Sequence, residues 1–180
     1  SGGKYDPNFI KNIKNLAEKF DIKIHNYFPP PKHPFVINLA SNNQEIAKLS
    51  INHIKSSIKL ASEVNSKYYS FHAGFLIDPK VKELGKTISK SFILERSAAM
   101  DIFLKRVHKL ADFARNHGVE LLVENNVISK KNYQEFGQDV LLMTNACECE
   151  YFFNNAPSDV GMLLDFAHLK VSSKTLNFSA

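Results

Sequence analysis

Several kinds of protein are excluded by what this sequence does not contain. No apolar run in its 180 residues approaches the ~20 needed to cross a bilayer. No charged segment followed by an apolar one opens it as a secretory leader would. Cysteine is scarce. Cys147 and Cys149, one residue apart, are too few and too close to frame a disulfide-stapled fold, and they lack the spacing of a zinc ribbon. The expectation is a cytoplasmic protein, without membrane contact, whose two thiols are reduced and structural. There is no Ser-His-Asp order, no glycine-rich loop to cradle a phosphate, and no recognition helix for DNA. What remains is ordinary globular material: 44% hydrophobic residues, enough for one core-forming domain over 1–180. The formal net charge of +5 leans mildly towards an anionic partner, either a sugar phosphate or a nucleic acid, although a soluble surface accounts for it equally well.

The informative feature is how the apolar runs end. Val119-Glu120-Leu121-Leu122-Val123 stops on Glu124, followed by Asn125 and Asn126. Asp21-Ile22-Lys23-Ile24 stops on His25, Tyr68-Tyr69-Ser70-Phe71 on His72, and Val160-Gly161-Met162-Leu163-Leu164 on Asp165, with His168 just beyond. A helical pattern precedes each run. Strands that alternate with helices and all end in His, Glu or Asp gather those groups at the carboxyl edge of one parallel sheet, where α/β proteins place their sites.

Between these ends the chain reads as scaffold. Asp6-Pro7 starts a helix with Phe9, Ile13, Leu16 and Phe20 on one stripe. Asn26 to Pro31 is a loop stiffened by three prolines, and Phe35-Val36-Ile37-Asn38-Leu39 is a short apolar return. Ser41 is placed to cap a helix whose face carries Ala47, Ile51, Ile54, Ile58 and Ala61. Residues 73–94 show no sustained period and predict an irregular, mobile lid over the rim. A further helix carries Ala99, Phe103, Val107, Leu110 and Ala114 and stops at Gly118. A polar loop follows Glu124, then a weak helix around residues 146–153, and no further strand is legible after Asp165. His33, His53, His108 and His117 fall in loop or helix patterns and are expected at the surface.

The ordered set His25-Asn26-Tyr27 followed by Phe35-Val36-Ile37-Asn38-Leu39, then Phe71-His72-Ala73-Gly74, Val123-Glu124-Asn125 and Leu164-Asp165-Phe166-Ala167-His168 resembles the xylose isomerase-like TIM-barrel superfamily over residues 21–170. That group holds sugar and sugar-phosphate isomerases and epimerases together with enzymes like endonuclease IV. The resemblance implies an α/β fold of the (β/α)8 type, present in part. Four βα units would correspond to barrel strands three to six, so the domain is expected to be incomplete at both ends. It also implies a divalent ion (Mn, Mg, Co or Zn). The family's metal site normally takes a histidine from strand seven and a glutamate from strand eight, and neither has a counterpart here.

A carboxylate directly after Leu-Leu-Val is costly unless it is paired or metal-bound, and Asp and His are good ligands for a borderline divalent ion. The expected ligands are therefore Glu124, Asp165, His168, His72 and His25, with Glu124 and His168 as catalytic groups. The bland alternative for Asp165 is a helix cap beside a surface His168, and for His25 and His72 hydrogen-bonded structural groups. Tyr27, Phe28, Phe71 and Phe75 cluster at the first two strand ends. Tyr27, Phe28, Phe75 and Asn125 are expected to line the substrate. Three functions compete: a metal-dependent sugar or sugar-phosphate isomerase or epimerase, an endonuclease IV-like zinc phosphodiesterase at abasic DNA, and a partial barrel that binds without turnover. The expected partner is a small sugar or sugar phosphate, with nucleic acid only under the second function. A homo-oligomer is compatible with the sequence.

Overall fold

The computed structural model describes residues 4–179. Four strands lie side by side in chain order and all run parallel: β1 (Ile24–His25), β2 (Tyr68–His72), β3 (Glu120–Glu124) and β4 (Val160–Leu163). Helices precede and connect them: α1 (Phe9–Ala17), α2 (Gln44–Glu63), α3 (Arg96–Arg115), α4 (Lys130–Phe136), α5 (Ala146–Asn155) and α6 (Phe166–Leu176). Parallel order of this kind, each strand joined to its neighbour through a helix, is the arc from which a (β/α)8 barrel is built.

Strand alternation separates two faces. Ile24, Tyr69, Leu121 and Val160 share one register row and are buried, with Phe71 and Val123 in the next row. The apolar stripes of α2 and α3 cover this face through Ile54, Ile58, Ala61, Phe103, Val107 and Leu110. Phe103 meets Phe152 of α5 with ring centroids 5.2 Å apart, which closes the outer layer. The opposite face carries Ser70, His72, Leu122 and Glu124. Among the described residues no helix is long and apolar enough to cross a membrane.

Several expectations are corrected. Asn43, not Ser41, caps α2, accepting from the Glu45 and Ile46 N–H groups, while the Ser41 hydroxyl donates to Asp78. The polar stretch after Glu124 contains α4; no strand follows Asp165 among the described residues, as expected, and α6 starts there. β4 stops at Leu163, so Asp165 ends no strand; it caps α6. Leu16 and Phe20 are exposed, which leaves the α1 stripe half covered. His53 is buried on α2, its Nε2 3.1 Å from the Asn26 carbonyl oxygen and its ring between Tyr27 and Phe35.

Residues 73–94 are irregular apart from a 3-10 turn at Val81–Glu83, yet part of the segment packs into the core. Leu76, Ile77 and Ile88 belong to the core, and Phe75 bridges to Leu141. Backbone polar groups in such a segment need partners. Asn38 supplies many of them: its Nδ2 donates to the Phe75 and Ile77 carbonyls and its Oδ1 accepts from the Phe75 N–H. Gly74 makes the close approach possible, since a Cβ there would sit 2.5 Å from Ala40 Cβ.

Candidate functional site

Parallel register brings His72 beside Glu124 and His25 beside Ser70, so the ends of β1, β2 and β3 meet at one rim. Glu124 lies at its centre and is 4% exposed. Its Oε2 is 3.4 Å from His25 Nε2 and 3.5 Å from His72 Nδ1, and its Oε1 is 3.5 Å from His168 Nδ1. Asp165 Oδ2 lies 3.7 Å from His168 Nε2. The structure therefore brings together all five residues expected as ligands. They fall into two overlapping sets that share Glu124: His25, His72 and Glu124, then Glu124, Asp165 and His168. Within each set the ligating atoms lie within 4.8 Å of one another.

Glu124 Oε2 is buried and has no hydrogen-bond partner, a state shared among the described residues only by Asn26 Oδ1. An unpartnered buried carboxylate oxygen is expensive, and a native structure that keeps one calls for an explanation. The electrostatics point the same way. Burial raises the Glu124 carboxyl to about 6; Asp165 adds to this and His168 opposes it. Burial, followed by repulsion from His25 and His168, lowers His72 to about 4. Burial also lowers His25, partly offset by its contact with Ser70. The N–H of His168, donated to the Asp165 carboxylate, holds Asp165 below its usual range. Neutral imidazoles facing carboxylates form the mixed nitrogen and oxygen donor set that suits a divalent ion of borderline softness. The residues present fit such an ion.

The remaining expected residues also make contacts within the fold. The Tyr27 hydroxyl accepts from the Ile37 N–H at 2.7 Å, and burial raises that phenol to about 12. Phe28 stacks on Phe9, with centroids 5.7 Å apart. Phe71 is core, stacked on Tyr69. Phe75 is half-buried and tied through its backbone to Asn38 and Leu141. Asn125 is buried, and its carboxamide pairs with the backbone of Asp165. Cys147 and Cys149 are free, and burial pushes the Cys149 thiol up to about 11.

Sequence reasoning passed over Ser70, whose hydroxyl lies 2.9 Å from His25 Nδ1 and orients that ring. Its signal was available: a polar residue two positions before His72 in a strand faces the same side.

Over residues 2–175 the sequence matches the family described as Xylose isomerase-like TIM barrel. It is similar to the fructoselysine 3-epimerase of Shigella flexneri, 27% identical over 132 residues, which make up 68% of this chain and 41% of that protein. The corresponding Escherichia coli O157:H7 enzyme is 26% identical, again over 132 residues, 68% of this chain and 42% of that protein. Among solved structures, a D-tagatose 3-epimerase-like protein superposes with a TM-score of 0.64 at 18% identity, covering 91% of this chain and 52% of its own. An L-ribulose 3-epimerase gives 0.64 at 15% identity, covering 92% of this chain and 49% of its own. At these identities the structural likeness speaks to the fold. The chain spans about half the length of these solved structures and 41% of the Shigella relative.

Proposed function

The chain belongs to the xylose isomerase-like TIM barrel family, and on that premise we propose that it carries the central part of the active rim of a metal-dependent sugar or sugar-phosphate isomerase or epimerase. The observation that carries this reading is the buried, unpartnered Glu124 oxygen facing His25 and His72. The names of the similar proteins support the substrate class, since those proteins are epimerases of sugars or a sugar derivative. Glu124, Asp165 and His168 would hold the ion, with His72 and His25 beside them. When bound, a divalent ion supplies positive charge that polarises a substrate carbonyl. The chain supplies the rest. Glu124, buried at the centre of the rim, is the carboxylate placed to take a proton from carbon and return it. His168, held at the head of α6 with Nδ1 on the Asn125 carbonyl, has Nε2 left either for the ion or for a substrate oxygen. The expected partner is a small sugar or sugar phosphate, and the expected setting is cytoplasmic.

The test is exchange of substrate hydrogen with solvent. Ketoses and ketose phosphates incubated in heavy water with added Mn2+ should gain deuterium next to the carbonyl. Glu124→Gln should reduce the rate by at least the ~10²–10⁴-fold that general base catalysis contributes. A second reading has its own observation: His25 and His72 form, with Glu124, a ligand set separate from Asp165 and His168. Two sets sharing one carboxylate also suit a multi-zinc phosphodiesterase. Nicking of abasic duplex DNA with Zn2+, without exchange on any sugar, would replace the first reading with the second.

A further inference from the structure

Residues 38–43, which come after β1, and residues 75–94, which come after β2, enclose a cavity of about 230 Å³. None of His25, His72, Glu124, Asp165 and His168 lines it, so it is separate from the rim. Its walls are fixed from behind. Arg106 of α3 donates through Nη1 to the Leu39 and Ser41 carbonyls at 2.7 and 2.6 Å. Asn38, buried, gives Nδ2 to the Phe75 and Ile77 carbonyls and to Asp78 Oδ1. The Leu94 N–H donates to the Leu76 carbonyl at 2.8 Å, which ties the second segment to itself. A cavity whose walls are already ordered costs little to fill.

The lining is polar but neutral in effect. Asp78 is its one charged residue, and both carboxylate oxygens are engaged: Oδ1 accepts from Asn38 Nδ2 and Oδ2 from the Ser41 hydroxyl, each at 2.8 Å. With no lysine or arginine in the lining, an anion would find no counter-charge there, and the engaged Asp78 offers a cation little. The exposed members are two amides, a hydroxyl and an aromatic ring: Asn42, Asn43, Ser91 and Phe92. Asn43 commits Oδ1 to the Glu45 N–H in the α2 cap, which leaves its Nδ2 to donate elsewhere. Phe92 is 76% exposed, more than any other large apolar side chain among the described residues. A ring so exposed contributes little to the core. Beside amide and hydroxyl groups it complements a pyranose, which presents C–H on one face and hydroxyls at its edge.

We propose that this cavity is a binding site for one neutral hexose ring, separate from the rim, in which Phe92 stacks on the C–H face of the sugar and Asn42, Asn43 and Ser91 hydrogen-bond its hydroxyls. It goes beyond the proposed function, because it needs neither a metal ion nor a reacting carbonyl.

The experiment titrates the full chain, with chelator present, with methyl α-D-glucopyranoside and methyl β-D-galactopyranoside. These are neutral hexosides with no carbonyl on which an isomerase could act. In two-dimensional NMR spectra at least one of them should move the backbone amides of Asn42, Asn43, Ser91 and Phe92 saturably, with a Kd on the order of 1 mM. Phe92→Ala should weaken binding by about 3–10-fold, and Asn42→Ala by about 5-fold. Both side chains are exposed, so both variants should keep the wild-type fold, which circular dichroism checks; Phe92→Leu, apolar but not flat, is the second variant for the stacking contact. Glucose 6-phosphate should bind no more tightly than the neutral hexosides. The proposal is overturned if neither hexoside moves these amides at about a hundred times that Kd, or if the shifts gather at His25, His72 and Glu124. It is equally overturned if folded Phe92→Ala and Phe92→Leu bind as wild type does, or if the phosphorylated sugar binds more tightly. Each of these failures leaves the rim's function to its own test, metal-dependent hydrogen exchange at a ketose.

Discussion

Asn126 and Glu124 are two residues apart, 3% and 4% exposed, and opposite in how their polar atoms are treated. Asn126 Nδ2 donates to the carbonyls of Ala73, Gly74 and Leu142 at 2.8, 3.0 and 3.0 Å. Its N–H donates to the Met143 carbonyl, and its own carbonyl accepts from the Ser172 hydroxyl. Asn38 does the same work below the neighbouring loop, giving Nδ2 to Phe75, Ile77 and Asp78. In this support region polar groups are buried because distant loop carbonyls need donors. At the rim, Glu124 is buried beside three imidazoles with one oxygen left over. The difference separates two kinds of buried polarity: the satisfied cluster holds the fold, and the unsatisfied one is where the proposed cation site lies.

Substitutions should therefore behave oppositely in the two regions. Asn126→Ala leaves three carbonyls in two segments, those of Ala73, Gly74 and Leu142, short of a donor. At about 1–3 kcal/mol for each unsatisfied group, a loss of about 3 kcal/mol is expected from denaturant unfolding. Divalent metal affinity, if the protein folds, should change little by comparison. Glu124→Gln should do the reverse. Removing a buried charge with no partner should leave the metal-free protein as stable as wild type, or more stable by about 1 kcal/mol above pH 6, after discounting for solvent near the rim.

The smaller, sharper effect is in the pH dependence of that gain, measured in metal-free protein with chelator present. The Glu124 carboxyl is raised from 4.5 to about 6. The folded state thus holds its proton more tightly than the unfolded state, and the associated stability is complete below pH 4.5 and lost as pH rises through about 6. His72 is lowered from 6.5 to about 4, so its contribution is complete above pH 6.5 and lost as pH falls through about 4. In wild type the two trends oppose each other between pH 4.5 and 6. In Glu124→Gln only the histidine trend remains, so stability should climb with pH across this window more steeply than in wild type. Parallel curves for the two proteins would mean that Glu124 is not raised by burial.

The same contrast explains what could be read from the sequence. The rim was legible because each of its groups ends an apolar run or follows one closely, so local pattern places His25, His72 and Glu124 at strand ends. Asp165 was legible as a residue but not in its element: Leu164 prolongs the apolar run past the end of β4, and the Asp165 backbone is held instead by the side chain of Asn125, one residue past β3. The support cluster was not legible. Asn38 and Asn126 bond to backbone carbonyls 37 and 52 residues away, and such partners leave no period in the sequence. Residues 73–94 looked like a lid for the same reason: Phe75, Ile77 and Asp78 are held by Asn38 and Ile88 by Asn132, each more than 35 residues away. His53 was expected outside because a histidine on a helix usually is; here it is buried against the Asn26 carbonyl. The cap at Asn43 was missed two residues early, since Ser41 has the same capping chemistry.

The central claim is that the unpartnered Glu124 oxygen marks a cation site. The most direct test is the unfolding free energy of wild type and Glu124→Gln as Mn2+ or Zn2+ is raised. Wild type should gain about 1.4 kcal/mol for each tenfold excess of metal over its dissociation constant, while Glu124→Gln, no less stable without metal, should stay flat over the same range. A wild-type protein that gains nothing, or a Glu124→Gln variant that gains as much, would contradict it.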